Sequence, residues 1–214
     1  MAQQWSFVAA GAVVNGQNPT VPVPTGIQPS DLLVLVGATT NGSNNTPAGW
    51  MLASATPSST PMIGVYYKLA GASESSVAVN NGSNTTGRAV MLAYRVAGSW
   101  RLDAAVASGS WVRNSSGSIT TPAITATQVD DLVLSIYATT SVASTLTPDA
   151  ATTSRVNSSS TSSLAGLLVA DEDKASAGAT TGRTMTYTNG PFARAGVLAF
   201  AQVQGVALSD DLYF

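Results

Sequence analysis

The stretch Asp31-Leu32-Leu33-Val34-Leu35-Val36-Gly37-Ala38-Thr39-Thr40 returns later in the chain as Asp131-Leu132-Val133-Leu134-Ser135-Ile136-Tyr137-Ala138-Thr139-Thr140, an offset of 131 − 31 = 100. Both are short aliphatic runs rich in Val, Leu and Ile and bounded by polar turn residues, the pattern of a buried strand. Other matches keep the same order. Thr46-Pro47 answers Thr147-Pro148 at an offset of 101, Gly64-Val65 answers Gly166-Leu167 at 102, and Arg88-Ala89-Val90-Met91-Leu92-Ala93-Tyr94 answers Arg194-Ala195-Gly196-Val197-Leu198-Ala199-Phe200 at 106. The offset grows across polar loops, as expected of two copies that diverged by loop insertion.

The repeat also selects the buried face, because side chains alternate across a strand. Leu32, Val34 and Val36 are answered by Leu132, Leu134 and Ile136, and Leu92 and Tyr94 by Leu198 and Phe200, whereas the opposite face relaxes from Leu35 to Ser135. Asn15-Gly16, Asn41-Gly42, Asn81-Gly82 and Asn189-Gly190 are turn signals. In the first half they divide the chain into strands near 4–9, 11–14, 19–23, 31–38, 50–55, 62–69, 75–79 and 87–95. The expected fold is all-β, with two tandem antiparallel β-sandwich modules of jelly-roll-like type related by the internal repeat. The first module covers 1–98 and the second 99–207, and Trp5 and Trp100 each open one. A tail, 208–214, has no counterpart and ends on Leu212, Tyr213 and Phe214. Two readings of it stand: it docks on a partner, or it folds back on its own module. The junction lacks linker composition, so the modules are expected to pack together.

Charged residues make up 9% of the 214, far below the usual quarter, while apolar residues hold a normal 44%. Such a chain folds but presents a neutral, hydroxyl-rich surface. With 9 basic and 11 acidic residues and no basic stripe, nucleic acid is a poor partner. No apolar run is long enough to span a membrane. The start, Met1-Ala2-Gln3-Gln4-Trp5, lacks the basic and apolar regions of a secretory signal. There is no Cys and no His, which removes disulfides, thiolate metal sites, the commonest general base and the Ser-His-Asp arrangement. Catalysis would fall to carboxylates. Asp31 and Asp131 open equivalent strands and read as strand-entry residues. The run Asp171-Glu172-Asp173-Lys174 reads as a solvated loop, with a divalent cation as the sharper alternative. No catalytic residue and no cofactor is expected.

Aromatic residues are the other route to a ligand, because flat rings stack on sugars. Trp50, Trp111, Tyr66, Tyr67 and Tyr137 are candidates for the exterior. Trp50, after Pro47-Ala48-Gly49, also reads as the lid of a small core. The candidate ligand or partner contacts are Trp50, Trp111, Tyr137, Leu212, Tyr213 and Phe214.

The order of Asp31 to Val36, Pro47-Ala48-Gly49-Trp50, Val65-Tyr66-Tyr67-Lys68-Leu69-Ala70, Arg88-Ala89-Val90, Ala93-Tyr94-Arg95 and Leu102-Asp103-Ala104 resembles a β-sandwich sequence type of bacteriophage virion surface proteins. The resemblance implies a non-enzymatic structural protein on the particle exterior, made in the host cytoplasm without a signal peptide. Head decoration (cement) or spike is the first expectation, and a tail-fibre or receptor- and carbohydrate-binding module the alternative. Its expected partners are itself, as a homo-oligomer with a trimer favoured, other virion proteins, and host surface glycans in the alternative.

Overall fold

The computed structural model describes residues 5–40, 45–56, 60–80, 87–107, 110–140, 144–161, 164–189 and 192–203. The fold is all-β and antiparallel, with no helix among the described residues. The first half contains β1 (Ser6–Ala10), β2 (Val14–Asn15), β3 (Thr20–Val21), β4 (Leu32–Thr39), β5 (Met51–Ala55), β6 (Met62–Leu69), β7 (Val77–Ala78) and β8 (Arg88–Arg95). The second contains β9 (Ser99–Ala105), β10 (Val112–Asn114), β11 (Ser118–Thr120), β12 (Thr125–Ala126), β13 (Asp131–Thr139), β14 (Leu146–Thr147), β15 (Thr153–Ser158), β16 (Gly166–Lys174), β17 (Gly178–Ala179), β18 (Thr184–Tyr187) and β19 (Ala193–Val203). The eight strands drawn from the first-half turn signals all appear, each within a few residues of its expected ends.

Each half contributes one six-stranded sheet. One has the order β1-β8-β4-β6-β5 with β2 also on β8, and the other β10-β19-β13-β16-β15 with β9 also on β19. Small sheets flank them: β3-β7, β12-β17 and β11-β18-β14. The registers of the two large sheets correspond. Leu32 lies opposite Tyr94 as Leu132 lies opposite Phe200. A bulge leaves Val8 unpaired in β1 and Asp103 in β9, and another leaves Ala53 unpaired in β5 and Arg155 in β15. At the entry to the central strands, Ser30 (φ 74°) and Asp130 (φ 59°) are both left-handed, an uncommon conformation for residues with a Cβ. Their N–H groups bond the carbonyls of Ala70 and Lys174. One match from the sequence is corrected: Thr39 pairs with Met62 and Thr139 with Gly166, so the offset there is 166 − 62 = 104 rather than 102. Glycine identity misled the alignment by two residues, a shift that preserves which face is buried.

The large sheets turn one face toward each other. Leu32, Val34 and Val36, with Leu92 and Tyr94, join Leu132, Leu134 and Ile136, with Leu198 and Phe200, in one continuous buried cluster. The outer faces are covered too. Leu33, Leu35 and Met91 pack with Val21 and Val79 in the first half, while Ile119, Met185 and Tyr187 cover Tyr137 and Leu168 in the second. Every residue of β4 and β13 is therefore buried. Ser135, on the face that relaxes from Leu35, is itself 1% exposed. Runs buried on both faces cannot alternate in polarity, and this is why these strands read as continuous aliphatic stretches.

Trp111 is buried in the shared cluster, which corrects its expected place outside. Its Nε1 donates to Ser54 Oγ at 3.0 Å, and the Ser54 hydroxyl donates to the Val106 carbonyl, tying the two halves together. Its ring lies on Gly196 of β19, where any Cβ would run into it. Val90 occupies the equivalent place in the first half, so Gly196 is the space that admits the indole. Gly196→Ala is expected to cost roughly 1–3 kcal/mol by overpacking, read as a lower urea midpoint at an unchanged slope. An unaltered midpoint would show that the indole does not rest there.

Candidate functional site

The acidic residues are where catalysis would have to reside, and most are committed to structural partners. Asp31 accepts from Arg95 through both oxygens, at 2.8 and 2.7 Å, and from the Gln28 N–H at 2.7 Å, so it closes the turn into β4. Glu74 pairs with Lys68 at 2.7 Å. Asp149 accepts the N–H groups of Thr184 and Ala151, which hold its carboxyl below the usual range. The run 171–174 is not a loop but the end of β16, and strand alternation turns its neighbours to opposite faces. Asp171 pairs with Arg155 at 2.8 Å, and Glu172 with Arg183 on the other side. A chelating loop is thereby replaced by two arginine pairs, and no three acidic residues gather for a metal among the described residues.

The aromatic candidates separate in the same way. Tyr137 is 1% exposed and its hydroxyl donates to the Arg183 carbonyl at 2.9 Å, so this ring is also not outside. Tyr66 is buried. Trp50 is half-buried against the outer cluster of the first half with the Lys68 ammonium 5.6 Å above its ring, a lid rather than a free platform. Leu212, Tyr213 and Phe214, with the rest of 208–214, lie outside the described residues.

Two places carry unusual chemistry that the sequence did not single out. They emerge from comparing the halves. The shared inner core has two ends, built from equivalent positions. At one, Tyr67, Trp100 and Phe200 meet edge to face, their centroids 5.5 to 6.1 Å apart, and Met51 and Leu69 beside them are 50% and 53% exposed. Trp100 Nε1 donates to the Ser30 carbonyl at 3.0 Å. At the other end the registers place Trp5, Phe7 and Tyr94 for Trp100, Leu102 and Phe200, and Thr153, Arg155, Asp171 and Asp173 for Met51, Ala53, Tyr67 and Leu69. The apolar end thus has a polar counterpart. A cleft of about 80 Å³ opens there, with the Arg155 guanidinium 4.4 Å from the Phe7 ring centroid. Tyr94 is fully buried, and burial followed by the Asp171 charge beside it pushes its phenol well up. The available signals were the paired tryptophans and the repeat counterpart of Asp171–Lys174, but the cleft needs β1 of one large sheet and β16 of the other brought to the same end of the shared core.

The second place is the counterpart of the Asp31–Arg95 pair. In β19 the position equivalent to Arg95 is Ala201, so Asp131, 0% exposed, has lost its cation. Its carboxyl faces Asp103, and the Gln128 N–H and the Arg101 charge only partly offset that neighbour. Burial first, and Asp103 second, push the Asp131 carboxyl up to about 7. Burial also works against the Asp103 carboxylate. The hydroxyl and N–H of Thr127, the Asp131 carboxyl and the charge of Arg101 outweigh it and hold Asp103 below the usual range. The pair is thus one carboxylic acid beside one carboxylate.

The linkage follows from the direction of the Asp131 shift. An unfolded Asp releases its proton near pH 4, whereas folded Asp131 keeps it to about 7. Its stabilising contribution is complete below about pH 4, declines as pH rises to about 7, and is gone above. Asp103 runs the opposite way, its contribution being lost as pH falls below about 4. Asp131→Asn is therefore expected to match the parent near pH 4 and to exceed it by roughly 1–3 kcal/mol at pH 8 in urea titrations. A difference that stays constant from pH 4 to 8 would contradict the assignment.

Compared with known proteins, the chain matches no family model, no curated protein and no solved structure.

Proposed function

We propose that this chain is a non-enzymatic structural protein of a bacteriophage particle exterior, a head-decoration or spike protein that works as a homo-oligomer. We also infer that its halves are copies of one module, which together form a β-sandwich around the shared core. The matched strand orders, bulges and left-handed entry residues support the duplication. The non-enzymatic reading draws on the absence of His and Cys from the sequence and on the commitment of Asp31, Glu74, Asp149, Asp171 and Glu172 to structural bonds. The virion setting draws on the sequence resemblance alone.

The observation that carries assembly is the contrast between equivalent edge strands. β15 reads Thr-Ser-Arg-Val-Asn-Ser, as a solvent-facing edge should, while β5 reads Met-Leu-Ala-Ser-Ala with Met51 50% and Leu52 47% exposed. An uncharged apolar edge is a pairing hazard in a monomer and a resource in an oligomer. In light scattering at micromolar concentration the parent chain is expected as a closed oligomer. The double variant Met51→Asp, Leu69→Asp is expected as a folded monomer. A parent chain that is monomeric and does not co-sediment with phage particles would overturn the proposal.

A further inference from the structure

The exposed apolar patch of Met51, Leu52 and Leu69 needs a complement that the described residues do not offer. A closed assembly of more than two copies is built from heterologous contacts, each joining one surface to a different surface of the next copy. The other exposed large hydrophobic side chains among the described residues are Val112, at the far end of β19 from Phe200, Val129, in the turn into β13, and Val203. Three valines on separate elements do not make a second apolar surface. The chain holds one further apolar stretch, outside the described residues: Gln204-Gly205-Val206-Ala207-Leu208-Ser209-Asp210-Asp211-Leu212-Tyr213-Phe214. Positions 206, 208, 212 and 214 are apolar at the period of a strand with one apolar face, and Asp210 interrupts it. In the first half the chain after β8 runs directly into β9 at Ser99, so the repeat assigns this stretch no packing role.

Sheet register fixes where the stretch begins. Val203 lies opposite Ser99 and Gln202 opposite Trp100, whose ring centroid is 6.1 Å from that of Tyr67. Met51 lies opposite Tyr67, and Leu69 is two residues further along β6. The stretch therefore leaves the fold at the apolar end of the shared core, beside the patch. Residues 204–214 span at most about 36–40 Å when extended, so copies gathered about an axis at this end have each other's patches within reach. β5 is the last strand of its sheet and offers its outer edge to a further strand. We infer that residues 204–214 of one copy lie along β5 of the next and cover its Met51 and Leu69 with Leu208, Leu212 and Phe214. The inference rests on the assembly proposed above and names the contact that closes it: main-chain hydrogen bonds to the edge supply affinity, and the apolar face supplies register. A stretch folded onto its own patch would leave the copies no apolar surface to join, so cover within one chain and assembly through this edge exclude each other.

The chain has no Cys, so introduced thiols pair only with each other. Three full-length variants combine Leu69→Cys with Leu208→Cys, Leu212→Cys or Phe214→Cys. Each is treated at micromolar concentration with oxidised glutathione and run on a denaturing gel without reductant. At least one is expected to give covalent species larger than a dimer as its main product, which single-cysteine controls cannot form. In parallel, the full-length variant Leu208→Asp, Leu212→Asp, Phe214→Asp, which changes no residue of the buried clusters, is expected as a monomer with the parent's urea midpoint. Its half-assembly concentration is expected to rise about a hundredfold or more, on the scale of losing two buried aliphatic contacts. A disulfide that closes within one chain overturns the inference, because the stretch then covers its own patch. The absence of species beyond the dimer in all three cysteine variants also overturns it, whether or not the aspartate variant folds. An aspartate variant as oligomeric as the parent overturns the inference and leaves the assembly reading standing, whereas a monomeric parent chain sinks both.

Discussion

The structure depends on burying two faces of two large sheets at once. β4 and β13 have no solvent-facing side, so each large sheet needs a cover both inside and outside. The inner cover is the other half's sheet, and the outer covers are small sheets and loops. Fully burying one aliphatic side chain contributes about 1.5–3 kcal/mol, and the shared cluster collects such side chains from both halves. Without disulfides, this common core is what holds the halves in register, and Trp111 reaching Ser54 across them is its polar fastening.

Near-symmetry then sets what each charged residue must do. Where the halves agree, an Asp follows a left-handed residue at the entry to the central strand. Where they disagree, the consequences are electrostatic. Asp31 keeps Arg95, while Asp131 faces Ala201 and is left to share a proton with Asp103. Tyr67 and Leu69 are exchanged for Asp171 and Asp173, and the exchange turns an aromatic plug into a polar cleft. Differences between equivalent positions are where two matching sheets can carry different chemistry, because the packing requirement is already met by the matching residues.

Sequence periodicity located the strands well because the turn residues between them are strong punctuators and the aliphatic runs are long. It was less reliable wherever meaning depended on a neighbour outside the run. Asp171–Lys174 looked like a loop because acidic residues are rare in strands, but Arg155 and Arg183 make them tolerable there. Trp111 looked available because nothing local covers it; the residues that do, Ser54 and Gly196, are remote in sequence.

The chain's own order of residues determined the all-β class, the positions of its strands, which faces of β4, β8, β13 and β19 are inward, and the absence of His and Cys chemistry, since each depends on local pattern or composition. Only the tertiary structure decided that the two halves share one core, that Trp111 and Tyr137 are inside, and that Asp103 meets Asp131 and Tyr94 meets Asp171. Those meetings depend on which strands become neighbours, and hydrogen-bonded sheet register, not spacing along the chain, fixes that.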